Sequence, residues 1–385
     1  MVQVSIAEVQ HILWGTYKTC TSLSHTTLIT NSTGEAVLQE TSTVESETGP
    51  TWISASPVHH DVILVAAQSS LNLYHYSLSD SGDISWTRKR KIEMQGWSRI
   101  VHASFSNDGK YLLAVDYDAG QAKSVRVKMS DDDESRLCST VTYRGTGGYP
   151  PLQSASHPHQ IRQHPAQPWI YVCDLGTDEI HLHHLSATGQ LQFITSFSAP
   201  SGTGPRHLAF HPSHKVLYLL GEISSTVMTF SIDDDTGELS YVATSSILPP
   251  EIADRATAGQ NLLDGSRGLM ASELLVPSSG KHIYALNRNQ QNVTSDQLAT
   301  MDLDIEYPYL PLEGSIRFTP TLGLVSRGMQ LEPTSERLLA VANQGTPSIT
   351  IFKREPDTGD LATLAHLRPP SGNPVTAAQW LPKEI

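Results

Sequence analysis

The chain has 385 residues and a net charge of −13; 38% of its residues are hydrophobic and 17% charged, with 26 glycines and 23 prolines. That acidic balance excludes a nucleic-acid or anionic-membrane partner, which needs a basic surface, while the low apolar fraction and abundant turn residues suit short strands that bury alternate side chains. The three cysteines, Cys20, Cys138 and Cys173, are odd in number and lack metal-ligand spacing, which speaks against a disulfide framework or a zinc site and for a reducing compartment.

Residues 1–17 lack the cationic start and apolar core of a signal peptide. No apolar run approaches the ~20 residues that span a bilayer, so the expected location is the cytoplasm. The first apolar element, HILWGTYKTC from His11, reads as the second strand of a unit whose first is missing. Repeating units then begin near Thr51 (TWISASPVHHDVILVAAQ), Val101 (VHASFSNDGKYLLAVDY), His159, Arg206, Ser272 (SELLVPSSGKHIYALNR) and Arg327. The Arg206 copy is the clearest: RHLAFHPSHK, VLYLLGE, ISSTVMTFSI, then a DDDTGE turn before LSYVATSSI.

Successive starts lie 47 to 66 residues apart, room for four strands of about 5–6 residues with their turns. Four-stranded units at that period are propeller blades. The chain closes on VTAAQWLP from Val375, a first strand with nothing after it. Joined to the unpartnered second strand at the start, it completes a seventh blade. The sequence therefore predicts an all-β, seven-bladed propeller closed by its two termini, spanning residues 1–385 as one domain. Residues 130–156 and 248–270 interrupt the repeat and are expected to be long insertions walling a pocket on one face.

Equivalent positions of successive blades surround one axis, so residues in matching register converge. His159 and Arg206 open the first strands of adjacent blades, and Glu222 and Arg288 each fall sixteen residues after such a start. An imidazole, a carboxylate and two guanidinium groups are thereby expected at one end of the ring. Arg206 fits a blade-to-blade structural anchor about equally well, because Arg327 occupies the same register without an obvious partner. Histidine with a pKa near 6.5 accepts a proton at neutral pH. Arginine stabilises an oxyanion or clamps a carboxylate or phosphate.

The segments His157-Pro-His159, Gly204-Pro-Arg-His-Leu-Ala-Phe-His-Pro212, Gly221-Glu-Ile-Ser-Ser-Thr226 and Ser272-Glu-Leu-Leu-Val with Asn287-Arg288 resemble the signature segments of the lactonase propellers. That family includes 6-phosphogluconolactonase and the fungal carboxymuconate cyclases. The resemblance implies His159, Glu222, Arg206 and Arg288 as catalytic residues, with no metal and no cofactor. His157, His207 and Glu273 are expected to line the substrate pocket, with His211 beside them. Glu222 is read as orienting His159, as an acid or base itself, or as simply forming an inter-blade ion pair with Arg288. The expected ligand is a small anionic molecule, and nothing in the sequence fixes an oligomeric state.

Three other readings compete with a lactone hydrolase. A cyclase would run addition across an alkene with the same groups. A protein-binding platform is disfavoured by the absence of the Gly-His and Trp-Asp blade signature. A calcium-dependent propeller is disfavoured because DDDTGE and EPDTGD lack the remaining ligand spacing and read as hairpin turns. His181 and His183 share a strand face, but no third metal ligand follows at suitable spacing.

Overall fold

The structure, a computed structural model, describes residues 6–17, 19–79, 83–128, 135–249, 269–288 and 294–381. It contains seven four-stranded antiparallel sheets and one short helix, α1 (Pro150–Gln153). Six blades run outward in chain order from innermost strands β4 (Trp52–Ala55), β8 (Ile100–Phe105), β12 (Pro158–Gln163), β16 (Pro205–Phe210), β20 (Met270–Leu275) and β24 (Ser326–Leu331). The seventh has β28 (Val375–Leu381) innermost, paired with β1 (Ile6–Thr16). Closure by both termini is thus as the half-units predicted. Each inner strand touches the next all the way round, β28 meeting β4.

The blades pack face to face through apolar clusters. Leu64, Leu73, Ala103 and Leu112 join the blades that start with β4 and β8, and Tyr218, Leu220, Leu274 and Ile283 join those that start with β16 and β20. Near the axis the inner strands are not ladder partners, so buried backbone groups there need other satisfaction. Side chains supply it around the circle. Thr376 donates to Thr51 O, Thr51 to Ile100 O, Ser54 to Ala103 O and Ser104 to Ile161 O. Gln160 Oε1 accepts from Leu208 N, Arg206 donates to Ser272 O, Ser272 to Ser326 O, and Gln330 Oε1 accepts from Trp380 N. This circuit is why short polar residues occupy strands that are otherwise apolar.

One feature of register positions the site. The second residue of several inner strands is an extra, unpaired one: His159 falls between the paired Pro158 and Gln160, Arg206 between Pro205 and His207, Arg327 between Ser326 and Gly328. In β20 the shift spans Ser272 and Glu273. Bulges of this kind break the strict alternation of strand side chains and re-aim one of them.

One expectation is corrected: residues 136–142 are not insertion but β11 (Arg136–Thr142), the outer strand of the blade that starts with β8. It is half-exposed or exposed along its whole length, so it carries no hydrophobic period for a sequence reading to find. After it, Gln153 bonds Leu175 O and Asp178, and Ser156 bonds Asp174, which anchors this connection to the turn after β13 (Trp169–Asp174). Of the second expected insertion, residues 250–268 lie outside the described residues. The DDDTGE segment is a hairpin turn: Asp233 accepts from Asp235 N and Thr236 N, and Gly237 takes φ +75°.

Candidate active site

Glu222 follows β17 (Val216–Gly221) and Arg288 ends β21 (His282–Arg288), each the second strand of its blade. Second strands run antiparallel to inner ones, so their ends meet the bulged beginnings that carry His159 and Arg206. All four predicted catalytic residues therefore lie at one end of the ring. They are nearly closed from solvent, at 6% exposure for His159, 2% for Arg206, 6% for Glu222 and 5% for Arg288.

Glu222 is held by both arginines: Arg206 Nε donates to Oε2 and Arg288 Nη2 to Oε1, each at 2.6 Å. Burial pushes its carboxyl up, but Arg288, Arg206 and Arg327 outweigh that and hold it below the usual glutamate value. Glu222 is therefore an ionised clamp between two guanidiniums. That geometry suits neither a proton donor nor an orienting partner for His159.

His159 is pushed well below 6.5, first by burial and then by Arg206, His207, Arg327 and Arg288. Its Nδ1 is buried without a hydrogen-bond partner. Tyr117 meets its ring edge-on at 6.0 Å and His207 at 5.2 Å. The imidazole is thus neutral, packed by rings and unengaged at Nδ1.

The three predicted pocket residues surround it at different depths. His157 stacks on Tyr117 at 4.2 Å and its Nδ1 lies 2.8 Å from Tyr117 O, so it supports the ring that packs against His159. His207 Nδ1 lies 2.6 Å from Glu273 Oε1, and Arg206 Nη1 lies 3.2 Å from His207 Nε2. His207 also meets Trp52 at 5.4 Å and His102 at 6.1 Å, forming a ring layer beneath His159. His211 does not join the cluster; it stacks on Tyr309 at 3.9 Å.

Burial pushes Glu273 up to about 8, with Arg206 and the Leu274 N–H pulling it back, and pushes His207 well below 6.5. Below about pH 8 the carboxyl keeps its proton. The Arg206 N–H faces Nε2, so the neutral ring carries its proton on Nδ1 and donates it to Glu273 Oε1, which also accepts from Leu274 N. A folded-state pKa above the unfolded one gives stability that is lost as pH rises through the folded value. The melting temperature is therefore expected to fall between about pH 4.5 and 8, and Glu273→Gln to flatten that fall. Parallel profiles for the two proteins would exclude Glu273 as the source.

Arg327 is not among the expected site residues, but it belongs to this cluster. It is half-buried, packs over Tyr17 at 4.8 Å, donates to Gln344 and acts electrostatically on His159, Glu222 and Arg206. Its shared register with Arg206 was the available signal. Three arginines around one carboxylate leave an excess of positive charge beside a neutral imidazole. His181 and His183 are committed elsewhere: His181 to Ser196 and Asp174, His183 Nε2 to the Tyr143 hydroxyl. No group of three metal-ligating side chains occurs among the described residues.

A family model described as "Lactonase, 7-bladed beta-propeller" matches residues 11–378. A 6-phosphogluconolactonase of Pectobacterium carotovorum is 25% identical over 336 residues, 86% of this chain and 88% of the relative. A 6-phosphogluconolactonase of Bacillus subtilis is 23% identical over 285 residues, 74% of each chain. Among solved structures, a periplasmic gluconolactonase of Pseudomonas aeruginosa superposes with a TM-score of 0.74 at 21% identity, covering 97% of this chain and 99% of that one. No helix among the described residues is long and apolar enough to cross a membrane.

Proposed function

We propose that this chain, which belongs to the lactonase family of seven-bladed β-propellers, hydrolyses a small lactone bearing a carboxylate or phosphate, without a metal. The observation that carries the reading is the excess guanidinium charge of Arg206, Arg288 and Arg327 over Glu222, beside the neutral His159. The 6-phosphogluconolactonase relatives favour a sugar-acid lactone as substrate.

In this reading His159 takes a proton from water as its oxygen attacks the lactone carbonyl. The carbonyl oxygen becomes an oxyanion, stabilised by an arginine already fixed in place. The intermediate collapses by breaking the ring C–O bond, and the departing alkoxide recovers the proton from His159 to give the open hydroxy acid. Glu222 is a positioning residue, since it fixes Arg206 and Arg288 before substrate arrives. The remaining arginine charge holds the substrate's own anionic group, bidentately where geometry allows.

The test compares an anionic sugar-acid lactone with its neutral counterpart, assayed by acid release in the presence and absence of a chelator. Turnover of the anionic lactone should survive chelation. Arg288→Gln and Arg327→Gln should each raise its KM about tenfold or more, as loss of a charged hydrogen bond predicts, and change KM for the neutral lactone less. Equal effects on the two substrates, or loss of activity restored by added calcium, would contradict the proposal.

A further inference from the structure

Beneath the ring layer of Trp52, His102 and His207 lies a separate cavity of about 500 Å³, and none of the four predicted catalytic residues lines it. It follows the inner strands to turns at the opposite end of the ring, where Ser56, Pro57, His60 and Pro333 border it. That volume matches sites for small organic ligands.

Of the side chains lining it, histidines aside, only Arg162 and Glu273 carry an ionisable charge. They differ in what they offer a ligand. Glu273 is 4% exposed, lies against His207 at 2.6 Å and keeps its proton to about pH 8. Arg162 is the penultimate residue of β12, towards the end of the ring opposite His159, and its exposed side chain lines the cavity. A guanidinium stays charged there and has five N–H donors; Nη1 gives one to Leu208 O at 3.2 Å. Phe210 lies 6.0 Å from its central carbon.

Four of the other polar side chains are engaged by the ring itself. Ser54 and Ser104 donate to backbone carbonyls, while Gln160 and Gln330 accept from backbone N–H groups. The cavity therefore presents one guanidinium that no ionised carboxylate in its lining neutralises below about pH 8, and a guanidinium in a concave site can clamp a carboxylate or phosphate bidentately.

We propose that this cavity is a second binding site, for a small oxyanion of the carboxylate or phosphate class anchored by Arg162. It is entered from the face opposite the candidate active site and does not depend on the lactonase reading.

Calorimetric titration of the full chain with inorganic phosphate, and in parallel with malonate, tests this. Saturable binding of at least one anion is expected. Arg162→Gln should weaken it by more than about tenfold, the worth of a charged hydrogen bond. Because Arg162 also bonds Leu208 O and its loss can disturb folding, Ala55→Phe serves as a second variant. Ala55 is exposed and lines the cavity, so the larger ring should block the site with Arg162 intact. Arg288→Gln should leave this binding in place. Binding of phosphate alone or malonate alone assigns the class, and binding of both marks a site that reads charge only. Absence of saturable binding by either anion overturns the proposal. So does binding lost in Arg288→Gln but kept in Ala55→Phe, which places the anion in the upper cluster.

Discussion

Replacing Glu222 with glutamine should destabilise the protein by roughly 3–5 kcal/mol, the cost of breaking a buried ion pair by removing one partner. The side chains of Arg206, Glu222 and Arg288 are 2%, 8% and 6% exposed, so little water is available to replace the lost carboxylate charge. Arg206 and Arg288 would then face each other and Arg327 with their mutual repulsion unbalanced. The direction of Glu222's own shift agrees: a carboxyl held low in the folded state contributes stability above its unfolded pKa and loses it as pH falls through the folded value. The wild type should therefore lose stability in acid more steeply than Glu222→Gln does. Thermal melts across pH measure both effects.

A double-mutant cycle separates the clamp from general damage. If Glu222 acts through the arginines, Glu222→Gln combined with Arg288→Gln should cost less than the sum of the single changes, by a coupling of about 0.5–3 kcal/mol. Simple additivity, or a Glu222→Gln protein that melts like the wild type, would rule out the clamp.

How much of this arrangement was legible beforehand follows from which features are periodic. Each blade starts with a buried apolar strand beside a turn, and the expected starts at Thr51, Val101, His159, Arg206, Ser272 and Arg327 fall within two residues of the inner strands. Ring closure was legible because the terminal half-units could satisfy only each other. The outer strand Arg136–Thr142 was not, because an edge strand exposed on both faces has no hydrophobic alternation. The bulges were hidden as well: a period-2 reading assumes regular register, while His159, Arg206 and Arg327 are aimed by its interruption. Register alone was enough to bring the imidazole, the carboxylate and the guanidiniums to one end of the ring. It could not show that Glu222 binds both arginines rather than His159, since that depends on side-chain reach across a blade interface.

Replacing His159 with alanine should lower lactone turnover by about 10²-fold or more, the usual contribution of a general base, with circular dichroism unchanged. The fold should tolerate the change because Nδ1 has no hydrogen-bond partner to abandon and the imidazole is packed mainly by other rings. A merely structural histidine would show the reverse, a lowered melting temperature with turnover nearly intact. The pH profile distinguishes the roles further. In the free enzyme His159 is depressed first by burial and then by Arg206, His207, Arg327 and Arg288, so kcat/KM should hold its plateau well below pH 6.5 before falling in acid. A bound anionic substrate offsets part of the arginine charge and makes the imidazole more basic, which a proton acceptor requires. The acid limb of kcat, which reports the complex, should therefore lie at higher pH than that of kcat/KM. With a neutral lactone the two limbs should draw together, because no substrate charge then screens the arginines. Limbs that coincide for the anionic substrate, or cross in the opposite order, would remove His159 as the base.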